Sequence, residues 1–353
     1  MSCSQNSLRI IESGSFPIKY FIPSIYTDIG SSYQALGDLD EAEVFYTKAL
    51  EKYRDPEAKR SICAGLFFVA LILLLKGDLV SARRLYQEAL FSAEENARKN
   101  WQISCLRGLG MTEDLLGNSR EAERSFVAAK EISAKLQSPV LHFYSLFSLA
   151  KFFTEKERLG EAEEVLKQML SLRQEIQSPT ADIDFGLLRA LIDEKTGSLQ
   201  TKWEALKAFR DLSINDSAQM TVRITAIVHT CMLLIEQFRI FGDGDSLKEV
   251  AKLSEGIFAY CEKSGFAREA IANKILQADI NLLEGNHEKC DALLQTAMSD
   301  ADAKGYRNLA DIANTKLQSL RSTDESGRLI EIVDSLDLVC KMLELQTHLQ
   351  RER

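Results

Sequence analysis

The sequence is poor in proline and glycine, with 5 and 18 residues in a chain of 353. Collagen-like, mucin-like and broadly disordered chains need far more of these residues, or a higher net charge, so those classes are excluded. Long basic runs are also missing, and 43 lysines and arginines against 52 aspartates and glutamates give a formal net charge of −9. A chain this acidic is a poor ligand for nucleic acid and for anionic lipid. We therefore expect neither a nucleic-acid partner nor a membrane.

The seven cysteines are scattered and include no Cys-x-x-Cys pair, so zinc ribbons and thioredoxin-like sites lack their minimal spacing. Unpaired cysteines and the absence of a visible signal peptide predict an intracellular protein, in the cytoplasm or the nucleus. One uncharged run of fourteen residues, from Ile62 to Leu75, is shorter than the roughly 20 residues of a spanning helix. We expect it to form a buried helix.

Residues that could support catalysis or hold a metal do not converge in the sequence. His287 and Cys290 have the spacing of two metal ligands on one helical turn, but no second pair is near them. The FGDGD segment at 241–245 lacks the further oxygen ligands and the terminal glutamate of a calcium loop. No GxSxG or HExxH motif occurs. The sequence therefore predicts a protein that is not an enzyme and that has no cofactor and no metal.

Small and large residues recur at the same phase about every forty residues. A small residue stands at Ala42, Ala82, Ala122 and Ala162, and a large one follows four positions later at Tyr46, Tyr86, Phe126 and Leu166. A glycine precedes each such segment in most units, at positions 37, 77, 117, 197 and 285, and a good helix N-cap follows it, at Asp38, Asp78, Asn118, Ser198 and Asn286. The pattern predicts two helices joined by a tight turn in each unit.

These residues resemble the tetratricopeptide repeat, which places Leu-Gly and Tyr on its first helix and Ala, Phe and Ala on its second. The resemblance covers residues 24–300. The period of forty exceeds the usual thirty-four, and the signature proline is missing. Such long repeats resemble those of kinesin light chains, polarity adaptors and MalT-like regulators, and no motif selects one of these groups. The resemblance implies an all-α solenoid of helix-turn-helix repeats forming a right-handed superhelix.

The predicted organisation begins with an arm or half-repeat at 1–22. Five repeats follow at 24–210, and then a degenerate sixth repeat, a seventh repeat and a closing helix at 211–320. The last segment, 326–353, carries an apolar seam at Leu329, Ile332, Leu336, Val339 and Leu343. This spacing predicts a helix that caps the final repeat or, alternatively, docks on a partner.

In tetratricopeptide arrays the first helices line a concave groove that holds extended peptides or helices. The resemblance implies a partner-binding groove at Phe67, Leu71, Leu74, Arg107, Met111, Tyr144, Phe147 and Lys151. The alternative is that the N-terminal arm or a tight curvature of the array buries the apolar part of this stripe. The family's two-carboxylate clamp for Hsp70 or Hsp90 tails needs Lys, Asn and Arg. Its positions hold Thr27, Ser31, Phe68, Ser104 and Gly108, which disfavours that partner.

The sequence thus predicts a non-enzymatic scaffold or adaptor that binds a peptide or helix of a protein partner in a larger assembly. The alternative is a ligand- or peptide-sensing regulatory domain of a larger, MalT-like signalling or transcription regulator.

Overall fold

The computed structural model describes residues 21–36, 38–54, 62–264 and 267–322, and within these ranges all regular secondary structure is α-helical. The described residues form fifteen helices. In chain order these are α1 Ile22–Ala35, α2 Leu39–Tyr53, α3 Ile62–Lys76, α4 Leu79–Glu95, α5 Lys99–Leu115, α6 Ser119–Ala134, α7 Pro139–Glu155, α8 Leu159–Ile176, α9 Pro179–Lys195, α10 Leu199–Ser213, α11 Met220–Phe241, α12 Gly244–Ser264, α13 Ala267–Leu283, α14 His287–Ala303 and α15 Arg307–Ser322. The predicted arm at 1–22, apart from its last two residues, and the predicted helix at 326–353 lie outside the described residues.

In the first unit consecutive helices from α1 to α5 pack against each other, and in the second unit those from α7 to α15 do so, which confirms the prediction of an all-α array of helix pairs. The chain divides into two compact units, with the boundary between Ala129 and Lys130, inside α6. The first unit contains α1–α5 and most of α6, and the second contains the helices from α7 onwards. Each unit is described below by itself.

The turns between paired helices follow the predicted glycine pattern. In the first unit, Gly77 and Gly117 have φ of 85° and 81°, a left-handed conformation that is least costly for glycine. Gly37 lies outside the described residues. The side chains of Asp38 and Asp78 accept hydrogen bonds at 3.2 Å from the backbone N–H groups of Glu41 and Ser81. These bonds satisfy N–H groups that the first turn of a helix leaves unpaired.

The second unit departs from this pattern at two turns. Glu157, which stands where most repeats have glycine, adopts φ of 57°, so the turn geometry persists without its usual residue. Asn286 occupies the predicted N-cap position of α14, but without the side-chain cap bond. Its side chain donates instead to Glu284 Oε2 at 3.2 Å. Ser198 does cap its helix, because its hydroxyl accepts from Thr201 N–H at 3.1 Å.

Small residues allow the helices of a pair to approach closely. Ala42, Ala82 and Ala122 in the first unit are fully buried. A Cβ atom added to Gly30 would lie 2.8 Å from the Tyr46 ring, and one added to Gly110 would lie 2.7 Å from the Phe126 ring. Real Cβ atoms do not approach a ring so closely. The repeat phase therefore identifies positions where a second-helix aromatic ring packs directly on a first-helix backbone.

The sixth repeat, which matches the family pattern poorly, still folds as a helix pair. α11 follows the loop after Ser213 and ends at Gly242, whose φ of 68° and N–H bond to Phe238 O form a left-handed helix end. Residues of α9–α13 share one hydrophobic cluster in the second unit, which includes Leu206, Phe209 and Leu234. The poor sequence match thus reflects side-chain identity and does not interrupt the helical array.

Two helices are unusually apolar. α3 is the predicted buried helix, and eleven of its fifteen residues are buried. Within the described residues, α11 is the helix whose length and composition would allow it to cross a membrane. Its buried face packs in the hydrophobic cluster of the second unit, and core helices of globular proteins have the same composition.

Candidate functional site

The predicted groove residues of the first unit lie on α3 and α5. Phe67, Leu71 and Leu74 on α3 are at most 2% exposed, and the Arg107 side chain on α5 is 1% exposed. Met111 on α5 retains 9% exposure. Among the predicted residues of this unit, Met111 therefore keeps the largest surface that a partner could contact directly.

Phe67 belongs to an aromatic cluster on and between the helices of the first unit. Its ring centroid lies 5.4 Å from that of Phe68, 5.6 Å from that of Tyr86 and 5.4 Å from that of Trp101. The rings meet edge to face or tilted, which is the favourable geometry for packed aromatic side chains. Phe67 is thus a core residue whose neighbours Phe68 and Trp101 are partly exposed.

A polar cluster lies on α1, at the first-repeat positions that resemble groove positions. The Tyr46 hydroxyl donates to Gln34 Oε1 at 2.8 Å and lies 2.9 Å from Ser31 Oγ. Thr27 bonds back to the carbonyl oxygen of Pro23 at 2.9 Å. These contacts are satisfied within the repeat, so the cluster fixes Tyr46 over Gly30.

The predicted groove residues of the second unit lie on α7. Phe147 is 2% exposed, whereas Tyr144 and Lys151 each retain 9% exposure. Lys151 Nζ lies 3.4 Å from Glu155 Oε1. The α7 face therefore presents a small apolar and cationic surface.

Sequence reasoning missed two polar residues on α9 that occupy the same repeat positions as groove residues of α7. One step of forty from Tyr144 and Thr154 leads to Asp184 and Glu194 on α9, which are fully buried and 8% exposed. Glu194 Oε2 lies 2.7 Å from Nδ1 of His229 on α11, and the His229 ring stacks on Phe209 at 4.9 Å between centroids. Extending the forty-residue step into the fifth repeat would have identified both acidic residues.

α11 also carries two threonine hydroxyls with unusual surroundings. Thr230 bonds to the carbonyl oxygen of Ala226 at 2.8 Å, as buried helical threonines usually do. The buried hydroxyls of Thr221 and Thr225 have no hydrogen-bond partner within the described part of the chain. Thr225 and His229 are one turn apart and share a face of α11. A polar face therefore runs along α11 beside Glu194.

Further buried charges lie on α13 and α15. Burial lowers the pKa of Arg268 and raises the pKa of its neighbour Glu269, because both charged forms lose hydration. Lys316 donates to the buried Asp279 carboxylate, yet desolvation still raises the pKa of Asp279. These groups lie deep in the packing of α13–α15 and have the character of structural polar contacts.

The features considered for metal or catalytic chemistry do not assemble in the described residues. No group of three or more His, Cys, Asp or Glu side chains within those ranges is arranged to hold a metal ion. Cys290 is fully buried, and desolvation raises its pKa to about 11. Thiols with raised pKa are poor nucleophiles and poor metal ligands. In the FGDGD segment Asp243 accepts from Asp245 N–H and Ser246 Oγ, which is a turn geometry.

An apolar groove opens between the start of α10 and the end of α11. It is open to solvent along one side. Leu199, Trp203, Ile240 and Phe241 line it and are 54–61% exposed. A Lys202–Glu236 ion pair of 2.5 Å joins the two helices beside it. The tryptophan at position 203 therefore does not pack in the core, in contrast to Trp101. We refer to this feature as the α10–α11 groove.

Comparison with known proteins matches one of the predicted repeats to a known family. A family model described as "Tetratricopeptide repeat" matches residues 23–55. A solved tetratricopeptide repeat protein from Parabacteroides merdae is 16% identical over 83% of this chain and 98% of its own, with a TM-score of 0.47. The apo form of RapI is 16% identical, with coverages of 84% and 99% and a TM-score of 0.51. A Rap protein complexed with Competence and Sporulation Factor is 13% identical, with coverages of 93% and 81% and a TM-score of 0.52. No curated protein matches the sequence significantly. At these identities the two Rap structures establish a likeness of fold.

Proposed function

We propose that this chain, which is a tetratricopeptide-repeat protein, is a non-enzymatic scaffold or adaptor of the cytoplasm or nucleus. It binds a peptide or helix of a protein partner along the first-helix face of its array, within a larger assembly. The observation that carries the proposal is the row of buried polar side chains on the first helices of the second unit.

Those polar side chains stand where packing alone favours apolar ones. Lys151, Asp184, Glu194 and His229 occupy the first-helix face of α7, α9 and α11 and are each at most 9% exposed. Burying a charged or hydrogen-bonding group costs free energy, even when it is paired, relative to an apolar residue of similar size. A role in recognition accounts for retaining them on one face.

The hydroxyl groups of Thr221 and Thr225 lie just behind this face, buried and without a partner in the described residues. A hydroxyl both donates and accepts, so a peptide that opened the packing around them would find a bonding group for either its N–H or its C=O. One Rap protein of similar fold was solved in complex with Competence and Sporulation Factor, which agrees with a factor-binding role for such an array. In the first unit Met111, and in the second Tyr144 and Lys151, offer the largest exposed part of the predicted groove. The remaining predicted residues form the packing behind it.

The test compares partner capture by two double variants of the full chain. Lys151→Gln with Glu194→Gln removes one cation and one anion from the first-helix face. Lys167→Gln with Glu164→Gln removes an ion pair on α8 whose side chains are each 67% exposed, so it is a matched control. Each immobilised protein captures partners from an extract, mass spectrometry identifies them, and circular dichroism verifies the fold and the melting temperature.

We expect the first variant to lose proteins that the wild type and the α8 control both retain. Equal capture by all three, with intact folds, would contradict the proposal. A small molecule that raises the melting temperature of the wild type but not of the first variant would instead favour the regulatory sensor.

A further inference from the structure

The α10–α11 groove concentrates apolar surface at one edge of the second unit. Isolated exposed apolar residues are normal on protein surfaces, but contiguous ones mark binding sites. Four of the large apolar side chains that are more than half exposed in the described residues converge here, at 199, 203, 240 and 241. Leu206 and Leu233, which are buried, form the floor. The groove is therefore suited to an apolar helix face.

The topology brings the end of the described chain to the same edge. Consecutive helices joined by short connections run antiparallel, so α11, α13 and α15 run in the same direction. For α10 and α11 a contact agrees with this arrangement, because Arg223 near the start of α11 donates to the Ser213 carbonyl at the end of α10. The C-terminal ends of α11 and α15 therefore lie on one edge, and the groove opens beside the end of α11.

The chain after α15 is long enough to reach the groove. Contacts join α13 to α15, and residues of α11 and α13 share one hydrophobic cluster. At the 8–10 Å spacing of packed helices, the two steps from α15 through α13 to α11 span about 20 Å. Residues 323–328, if extended, also span about 20 Å. The apolar seam that follows at Leu329–Leu343 would be about 20 Å long as a helix, enough to lie across both α10 and α11.

We infer that residues 323–353 fold back within the chain and dock their apolar seam on the α10–α11 groove, against Trp203, Ile240 and Phe241. The seam has the 3–4 spacing of a helix face that packs into a groove. The last helices of the described chain expose less apolar surface for this segment to cover. Within the described side chains, no large apolar residue of α13–α15 is among the exposed ones.

The tryptophan content of the chain provides a direct test. The sequence has two tryptophans, at 101 and 203, so Trp101→Phe leaves Trp203 as the reporter. In this full-length background we expect a blue-shifted emission and weak acrylamide quenching. A chain ending at Ser322 should show red-shifted emission and stronger quenching. Identical spectra and quenching for the two chains would overturn the inference.

Two full-length double variants distinguish docking from loss of fold. Ile332→Ser with Leu336→Ser removes seam residues and should expose Trp203, whereas Asp334→Ser with Asp337→Ser alters intervening positions and should not. If truncation lowers the melting temperature without changing Trp203, the segment covers the end of the array and the inference fails. If protection of Trp203 disappears on dilution, the occupant is a second copy and the inference fails as well.

Discussion

The helices α3 and α11 are both apolar but bury different surfaces. α11 is long and apolar enough to resemble a membrane segment, whereas α3 is apolar but shorter. α3 buries an all-apolar set of side chains in the first unit. α11 buries two unpartnered threonine hydroxyls and the Glu194-bound His229, and it exposes Ile240 and Phe241 at its end.

The difference shows that hydropathy alone does not separate a core helix from a binding helix. What distinguishes α11 is the position of its few polar groups, which share the first-helix face, and the exposure of its last turn. α3 has neither feature. The comparison predicts that equivalent substitutions have opposite consequences in the two helices.

The largest expected effect is in α3. Phe67→Asp with Leu71→Asp buries two unpaired carboxylates and removes the centre of an aromatic cluster, so we expect a loss of at least about 4 kcal/mol in the free energy of unfolding. Chemical denaturation followed by circular dichroism measures it. Val80→Asp on α4, where the residue is 64% exposed, is the control. A double variant with wild-type stability would show that the α3 stripe is an open groove surface.

The second effect concerns the buried pair of α9 and α11. His229→Leu leaves Glu194 buried without its partner, and we expect a loss of about 3 kcal/mol. Adding Glu194→Leu should restore most of that stability, because an apolar pair of similar size is often as stable as a buried polar one. Thermal unfolding of the single and double variants measures the recovery. A double variant less stable than His229→Leu would indicate that the pair itself holds the two helices together.

The repeat phase predicted the helix pairs, the left-handed turns and the close packing of Ala82 or Gly110, because each of these depends on a small residue at a fixed position. It did not predict the Glu194–His229 pair. The forty-residue step reaches Glu194, but His229 belongs to the poorly matching sixth repeat, where the spacing departs from forty. The α10–α11 groove was also missed, since exposure of Trp203 depends on how far α11 extends beyond its neighbour. The partner-binding residues remain a prediction.

A smaller effect separates the threonines of α11. Thr225→Val replaces a buried unpartnered hydroxyl by a methyl group, so we expect a gain of about 1 kcal/mol. Thr230→Val is the matched control on the same helix, and it removes a hydroxyl that bonds to Ala226 O. Equilibrium unfolding compares the free energies of unfolding of the two variants, and partner capture adds a second measurement. If Thr225→Val stabilises the chain and weakens capture, the hydroxyl is retained for binding. If it destabilises, the hydroxyl has a structural partner.

The smallest effect is expected at the end of α11. Ile240 is 57% exposed, so Ile240→Ser should change the free energy of unfolding by about 1 kcal/mol or less. Leu74→Ser on α3 is the contrasting variant and should cost several times more, because Leu74 is fully buried.

The same Ile240→Ser change in the Ile332→Ser, Leu336→Ser background should have almost no effect on the free energy of unfolding. When two substitutions remove the two sides of one contact, their effects on the free energy of unfolding do not add. A loss of the Ile240→Ser effect in the seam variant would therefore show that the seam packs on Ile240. Additive effects would separate the seam from the groove. A cost at Ile240 as large as that at Leu74 would mean that the last turn of α11 is core, and the contrast between the two helices would no longer hold.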